Sequence, residues 1–330
     1  MKKIGKFEAG GILGSILFAA LLPVLIRANN YVISLLTLIL LYIIMSCSLN
    51  LLVGYTGQMS MGVAAFFGIG AYVVAYFGTT LQLPLVLCIV LATVTAFGFG
   101  ILLGVPSCKL NAIYLCFTTI AFTNIMRLVF TNWVEVTGGT NGFRGIRSFM
   151  IGGEKMTKLQ LYYVVLVVTV LCVAILYRMI HSKTGRAFRA VKGNPIAAES
   201  MGINVNMYKM LSFATCGAFA GLAGAFYAIQ VGYVSPEAFT TTMSIKILTM
   251  CVLGGLGNFY GAAVGAVIIG VGTELLAAFE DYQMIIYGLS IILILKFAPR
   301  GVAGGVQRLA EQIRGRASKA ASGKEKGERV

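Results

Sequence analysis

The chain has 330 residues, of which 58% are apolar and only 11% charged, with a mean hydropathy of +0.88. Soluble domains carry about 25% charged residues and disordered chains are poor in apolar ones, so both classes are excluded and a polytopic membrane protein remains. The net charge of +15 is concentrated: residues 1–9, 178–209 and 300–330 carry 3, 6 and 8 basic side chains against 1, 1 and 3 acidic ones, which is +12 of the total. Basic clusters between spans are the pattern of cytoplasmic segments. There is no RNA-binding or zinc-finger motif, so nucleic acid is not expected as a partner.

A helix needs about 20 apolar residues to cross the hydrocarbon core. In chain order the candidate spans are 11–26, 31–53, 60–78, 85–105, 113–133, 159–177, 210–231, 245–255, 261–278 and 283–298. Lys2 and Lys3 ahead of an apolar run have the look of a signal peptide. No small-x-small cleavage site follows, so the run reads as an uncleaved first helix. Charge parity supports the count. If 1–9 and 178–209 share a side, six crossings separate them, and four more return a basic tail to that side. This predicts about ten transmembrane helices with both termini cytoplasmic. A transmembrane domain covers 1–306, with a cytoplasmic loop at 178–209, and 307–330 forms a basic cytoplasmic tail. The loop at 134–158 then falls outside despite Arg144, Arg147, Lys155 and Lys158.

Small residues four apart recur at Gly100/Gly104, Gly217/Gly221, Ala220/Gly224 and Gly261/Gly265, a spacing that lets helices approach closely in lipid. Few ionisable groups fall inside spans. Arg127 lies one turn beyond Asn124, and Glu274 lies in the ninth span. A membrane-embedded charge is costly unless paired or wetted, so these mark a candidate pathway, with snorkelling the bland reading for Arg127. Lys246 and Lys296 sit near span ends, where they are expected to snorkel.

Three segments stand apart. In 50–62 (NLLVGYTGQMSMG), Gly54 and Gly57 can break a helix while Asn50, Thr56, Gln58 and Ser60 bring polar side chains to membrane depth. In 252–261 (VLGGLGNFYG), Gly254, Gly255, Gly257 and Asn258 do the same. Irregular backbone at that depth must be buried in protein or line a wet cavity. Two such breaks, one per half, point to a translocation site; the alternative is a pair of cytoplasmic turns. The third segment is the basic loop. A short helix at 185–192 is followed by the turn Gly193-Asn194-Pro195. Asn194 suits an N-cap, Pro195 the first helical position and Gly202 the exit. The resulting helix at 195–201 is too short to stand alone, so it is expected to dock, either in a partner's groove or on its own protein.

Other chemistry is missing. There is no G-x-x-x-x-G-K-[ST], G-x-S-x-G or H-E-x-x-H. The single histidine, His181, lies in the basic loop, and none of the seven cysteines forms C-x-x-C. No metal site, no cofactor and no catalytic residue is expected in this chain. An ion-coupled secondary transporter would need coupling-ion ligands and no loop peg. A scaffold role has only the packing glycines in its favour.

At these motifs the chain resembles the permease subunits of ABC importers for branched-chain amino acids, the M-type in particular. The matching stretches are 49–72 (LNLLVGYTGQMSMGVAAFFGIGAY), 137–145 (TGGTNGFRG), 182–204 (SKTGRAFRAVKGNPIAAESMGIN), 232–244 (GYVSPEAFTTTMS), 252–265 and 299–301. The resemblance implies an all-α, type II-like importer fold in a bacterial inner membrane. It implies a second homologous permease, two cytoplasmic ATPase subunits that use ATP and Mg, and an extracytoplasmic amino-acid-binding protein. It also implies that the loop helix is the coupling segment, with the pattern E-A-A-x-x-x-G. Ala197, Ala198 and Gly202 match it, Ile196 replaces the acid, Glu199 lies three residues on, and Pro195 opens the helix. Val63 stands where the family often has His after Gly62. The nearest rival is the related urea-importer permease, which shares this architecture.

Overall fold

The computed structural model describes residues 19–23, 29–151 and 154–275, with the single positions 285, 288, 289 and 296. The expected tail at 307–330, the last span and most of the first lie outside the described residues. Among the described residues, ten helices longer than one turn make up the body: α1 (Asn30–Asn50), α2 (Val63–Thr79), α3 (Leu85–Ser107), α4 (Ala112–Asn132), α5 (Lys158–His181), α6 (Lys183–Gly193), α7 (Pro195–Ser200), α8 (Val205–Val231), α9 (Thr241–Gly254) and α10 (Phe259–Leu275). A π-helical turn, Leu51–Tyr55, prolongs α1. Among the described residues five helices are long and apolar enough to cross a membrane: α1 with its π turn, α3, α4, α5 and α8; α2 and α10 are shorter apolar helices.

α8 is the central post. It packs on α3 and α2 through the small residues singled out in the sequence. A Cβ at Gly217 would lie 2.6 Å from the carbonyl oxygen of Ala96, and one at Gly100 would lie 2.7 Å from that of Phe213. Gly70 and Gly224 sit against the carbonyls of Gly221 and Phe67 in the same way. Backbones this close leave no room for a side chain, so dispersion contacts between them replace the hydrophobic drive that lipid does not supply. The α9–α10 pair repeats the device, with Gly254 against the carbonyl of Gly261 and Gly265 against that of Met250.

Several helix starts are written locally. Thr157 and Gln160 form a capping box at α5, and Asn204 accepts from the amide of Met207 at α8. Two expected boundaries move. The span expected from 60 begins only at Val63, because 57–62 is irregular backbone. The span expected from 245 begins at Thr241 and has only 14 residues, roughly 21 Å of rise. The loop before it fills the difference. Phe239 is buried there among Phe67, Tyr72, Phe130 and Tyr227 at ring separations of 5.6–6.3 Å.

The two ends of the bundle differ. At one end lie the basic loop (α6 and α7), the ends of α1, α3 and α9, and the start of α8; Lys209 Nζ reaches the carbonyl of Ser107 at 3.3 Å there. At the other end, the described residues 134–151 and 154–157 form one helical turn, a 3-10 turn and two-residue strands. Phe143 pairs with Val234 and Arg144 with Tyr233, antiparallel. The described residues of this segment, 134–151 and 154–157, therefore sit at the end of the bundle opposite the basic loop.

Candidate functional site

The first broken segment leaves the membrane helix by widening it. Leu51–Tyr55 is a π turn, the amide of Thr56 bonds the carbonyl of Leu51, and that of Gln58 bonds the carbonyl of Leu52, each at 3.2 Å. Gly57 then takes φ +76°, which L side chains resist, and the chain runs without regular secondary structure to Gly62. Its side chains alternate. Thr56, Gln58 and Ser60 are buried, while Gly57 and Met59 are exposed, Met59 by 44%. The buried set bonds internally, except that Gln58 Oε1 is buried without a hydrogen-bond partner. Gln58 Nε2 donates to Ser212 Oγ at 3.1 Å, and Ser60 Oγ accepts from the amide of Gly62. The backbone finds side-chain partners too. The amide of Met61 donates to Thr119 Oγ1 at 2.9 Å, Thr123 Oγ1 donates to the carbonyl of Met61 at 3.2 Å, and the amide of Ala64 donates to Ser244 Oγ at 3.0 Å. This is how irregular backbone survives at membrane depth. Gly57 and Met59 are the exposed positions of the segment.

The second broken segment closes on the first. Gly255 and Gly257 have φ +108° and +81°, and Asn258 Oδ1 caps α10 through the amide of Gly261 at 3.2 Å. Asn50, fully buried, joins the two. Its Nδ2 donates to the carbonyl of Asn258 at 2.8 Å, and its Oδ1 accepts from the amide of Gly257 at 2.9 Å. Gly54 lies directly against Asn50 Oδ1 and the backbone of Gly257. Gly254 abuts α10 beside them.

The basic loop completes the node. Lys192, in the last turn of α6, donates from Nζ to the carbonyl of Gly54 at 2.6 Å, and its stem lies over Gly57, where a Cβ would come within 3.0 Å of Lys192 Cγ. The π turn has freed that carbonyl, and the ammonium satisfies it with a charge-assisted bond. Two residues later Asn194 Oδ1 accepts from the amides of Ile196 and Ala197 at 3.0 and 3.2 Å, Pro195 takes the first position, and Gly202 leaves with φ +81°. α7 is thus the short helix that the Asn-Pro and Gly signals predict. Ala198 is its one buried residue and packs with Val191 of α6 and Val205 of α8. Pro195, Ala197 and Glu199 are exposed, and Ile196 and Met201 are 78% and 82% exposed. One side of α7 docks on its own protein and the other is free.

The remaining candidates lie elsewhere. Asn124 and Arg127 are on the exposed face of α4, near the end opposite the basic loop. Arg127 Nη2 is 3.4 Å from Glu237 Oε1, and Thr241 Oγ1 is 3.5 Å from Asn124 Oδ1. Glu274 is half-buried in the last turn of α10, far from the node. Lys246 does not snorkel, contrary to the expectation for a span end. Because α9 starts below a buried loop, its ammonium meets Tyr42 midway along α1, 3.2 Å from the hydroxyl and 4.6 Å from the ring centroid. Lys192, Ser212, Tyr42 and Glu237 carry no motif signal of their own; only the fold reveals them. Among the described residues no three His, Cys, Asp or Glu side chains gather as a metal site requires.

Comparison with known proteins fits this arrangement. The family model for the branched-chain amino acid transport system permease component matches residues 31–295. The chain is 31% identical over 290 residues to the high-affinity branched-chain amino acid transport permease LivM of Escherichia coli, covering 81% of this chain and 68% of that one. It is 26% identical over 312 residues to a probable branched-chain amino acid permease of Methanocaldococcus jannaschii, covering 79% and 90%. A shorter likeness, 33% over 126 residues and 36% of this chain, links it to the ribose import permease of Escherichia coli. No solved structure matches. With its broken helices, docked loop helix and apolar bundle, the chain belongs to the branched-chain amino acid transport permease family and is an all-α, multi-pass membrane permease.

Proposed function

We propose that the chain is one of two membrane-spanning subunits of an ATP-driven importer for leucine, isoleucine and valine in a bacterial inner membrane, with both termini and the loop at 178–209 cytoplasmic. A second homologous permease completes the pathway, two cytoplasmic ATPase subunits bind the ATP and Mg, and an extracytoplasmic binding protein delivers the amino acid. The observation that carries the reading is the loop helix. Its buried side is tied to α6 and α8 through Ala198, and its outer side offers Ile196 and Met201 to a partner.

Coupling follows from the connections. Closure of the ATPases on ATP displaces α7. The Ala198 seam passes the displacement to α6, and Lys192 passes it to the carbonyl of Gly54. Asn50 carries it to Gly257 and Asn258, hence to α9 and α10. The π turn and the positive-φ glycines absorb the dihedral change, so the exposed edge at Gly57 and Met59 shifts between outward- and inward-facing states. ATP sets the balance by binding one state better than the other.

The test is a photo-crosslinking amino acid at position 201 in intact cells. Capture of the ATPase subunit, together with leucine-stimulated ATP hydrolysis by the purified complex, is the expected result. Failure to capture it while the complex still transports, or transport by the permease alone down an ion gradient, would contradict the reading.

A further inference from the structure

The exposed face of α4 is apolar along most of its length, with Ile113 and Phe117 in the inner half and Ile125 and Leu128 in the outer half, and Asn124 and Arg127 are polar exceptions. Asn124 and Arg127 stand at the outer half, and Phe117, 66% exposed, stands seven residues before Asn124 on the same stripe, roughly 10 Å away along the axis. Arg127 faces Glu237, which the following loop holds in place: two residues on, Phe239 is buried against Phe130, itself three residues beyond Arg127 on α4. The scaffold is therefore fixed, yet the ion pair on it is loose. It is a single contact of 3.4 Å, and the two side chains are 45% and 78% exposed. Arginine has five N–H donors, and this contact uses one. The Asn124–Thr241 contact beside it is equally long at 3.5 Å. A pair this open is costly in hydrocarbon and worth little in water, so it is badly suited to holding the fold together. It is well suited to exchange: a ligand with both charges can replace one weak pair with two charge-assisted bonds.

We infer that Arg127 and Glu237 form an entry station for an amino-acid zwitterion. The guanidinium takes the carboxylate, the Glu237 carboxylate takes the ammonium, and the aliphatic side chain lies along α4 towards Phe117. The site rests on the importer reading and adds to it the residues that would hold both charges of the substrate at the outer mouth.

The experiment uses the reconstituted full complex with excess leucine-loaded binding protein, and measures uptake and ATP hydrolysis in the same vesicles. Arg127→Gln and Glu237→Gln are each expected to lower uptake about tenfold, while ATP hydrolysis stays stimulated by the loaded binding protein. The double variant R127Q/E237Q is expected to be at least as slow as either single one. A merely structural ion pair behaves otherwise, because removing both charges leaves none unpaired and restores function. Arg127→Lys keeps the charge and is expected to keep most of the uptake. Wild-type uptake in the single variants, recovery in the double variant, or parallel loss of uptake and ATP hydrolysis would each overturn the station. A wild-type complex that moves no branched-chain amino acid would overturn the importer reading instead.

Discussion

Glycine serves two opposite purposes in this molecule. Along the α3–α8 and α2–α8 seams, Gly100, Gly217 and Gly221 keep helical geometry and vanish, so that backbones touch. At the node, Gly57, Gly255 and Gly257 leave helical geometry for positive φ, and the contacts are hydrogen bonds from Asn50 and Lys192. The first region is a weld made of dispersion contacts that any added carbon destroys. The second is a joint made of a few directional bonds that can be broken one at a time. A transporter that must change state without unfolding needs both, and here they lie in one bundle, the weld on α2, α3 and α8 and the joint where α1 meets the α9–α10 turn.

Substitutions sharpen that contrast. Gly221→Leu drives carbons into Ala96 and the carbonyl of Ala92. Overpacking of this kind, with backbone on the other side, costs about 3 kcal/mol or more, and the expected result is little folded protein by size-exclusion after extraction. Asn50→Ala leaves the amide of Gly257 and the carbonyl of Asn258 without their bonds to Asn50, at about 1–3 kcal/mol for a buried group left unsatisfied. Folded protein should persist with a lower melting temperature, and uptake should be lost. Lys192→Met keeps the stem over Gly57 and removes only the bond to Gly54. Stability should fall by about 1 kcal/mol, with the main effect on coupling. Ile196→Asp with Met201→Asp alters only exposed positions, so stability should stay within about 0.5 kcal/mol, while pull-down of the ATPase subunit should fail. If the last pair unfolded the chain and Gly221→Leu did not, the division between weld and joint would be wrong.

What the sequence made legible was local. Asn194, Pro195 and Gly202 predict α7 because caps act within one turn, and the glycine spacing predicts which faces touch because it is a helical period. The broken segments were legible as breaks for the same reason. Their meeting was not, since Asn50 and Asn258 are 208 residues apart and nothing local records a long-range partner. The alternation of buried Thr56, Gln58 and Ser60 with exposed Gly57 and Met59 was not legible, because an irregular stretch has no period of its own. Lys246 was misjudged because a 14-residue helix begins below a buried loop, which moves a residue near a span end to mid-depth.

The account turns on force passing from α7 through Lys192 to Gly54. Its most direct test is leucine transported per ATP hydrolysed by vesicles carrying the full complex, wild type against Lys192→Met. The expected result is a ratio about tenfold lower in the variant, as loss of one charge-assisted bond allows, with ATP hydrolysis continuing. An unchanged ratio, at any absolute rate, would contradict it.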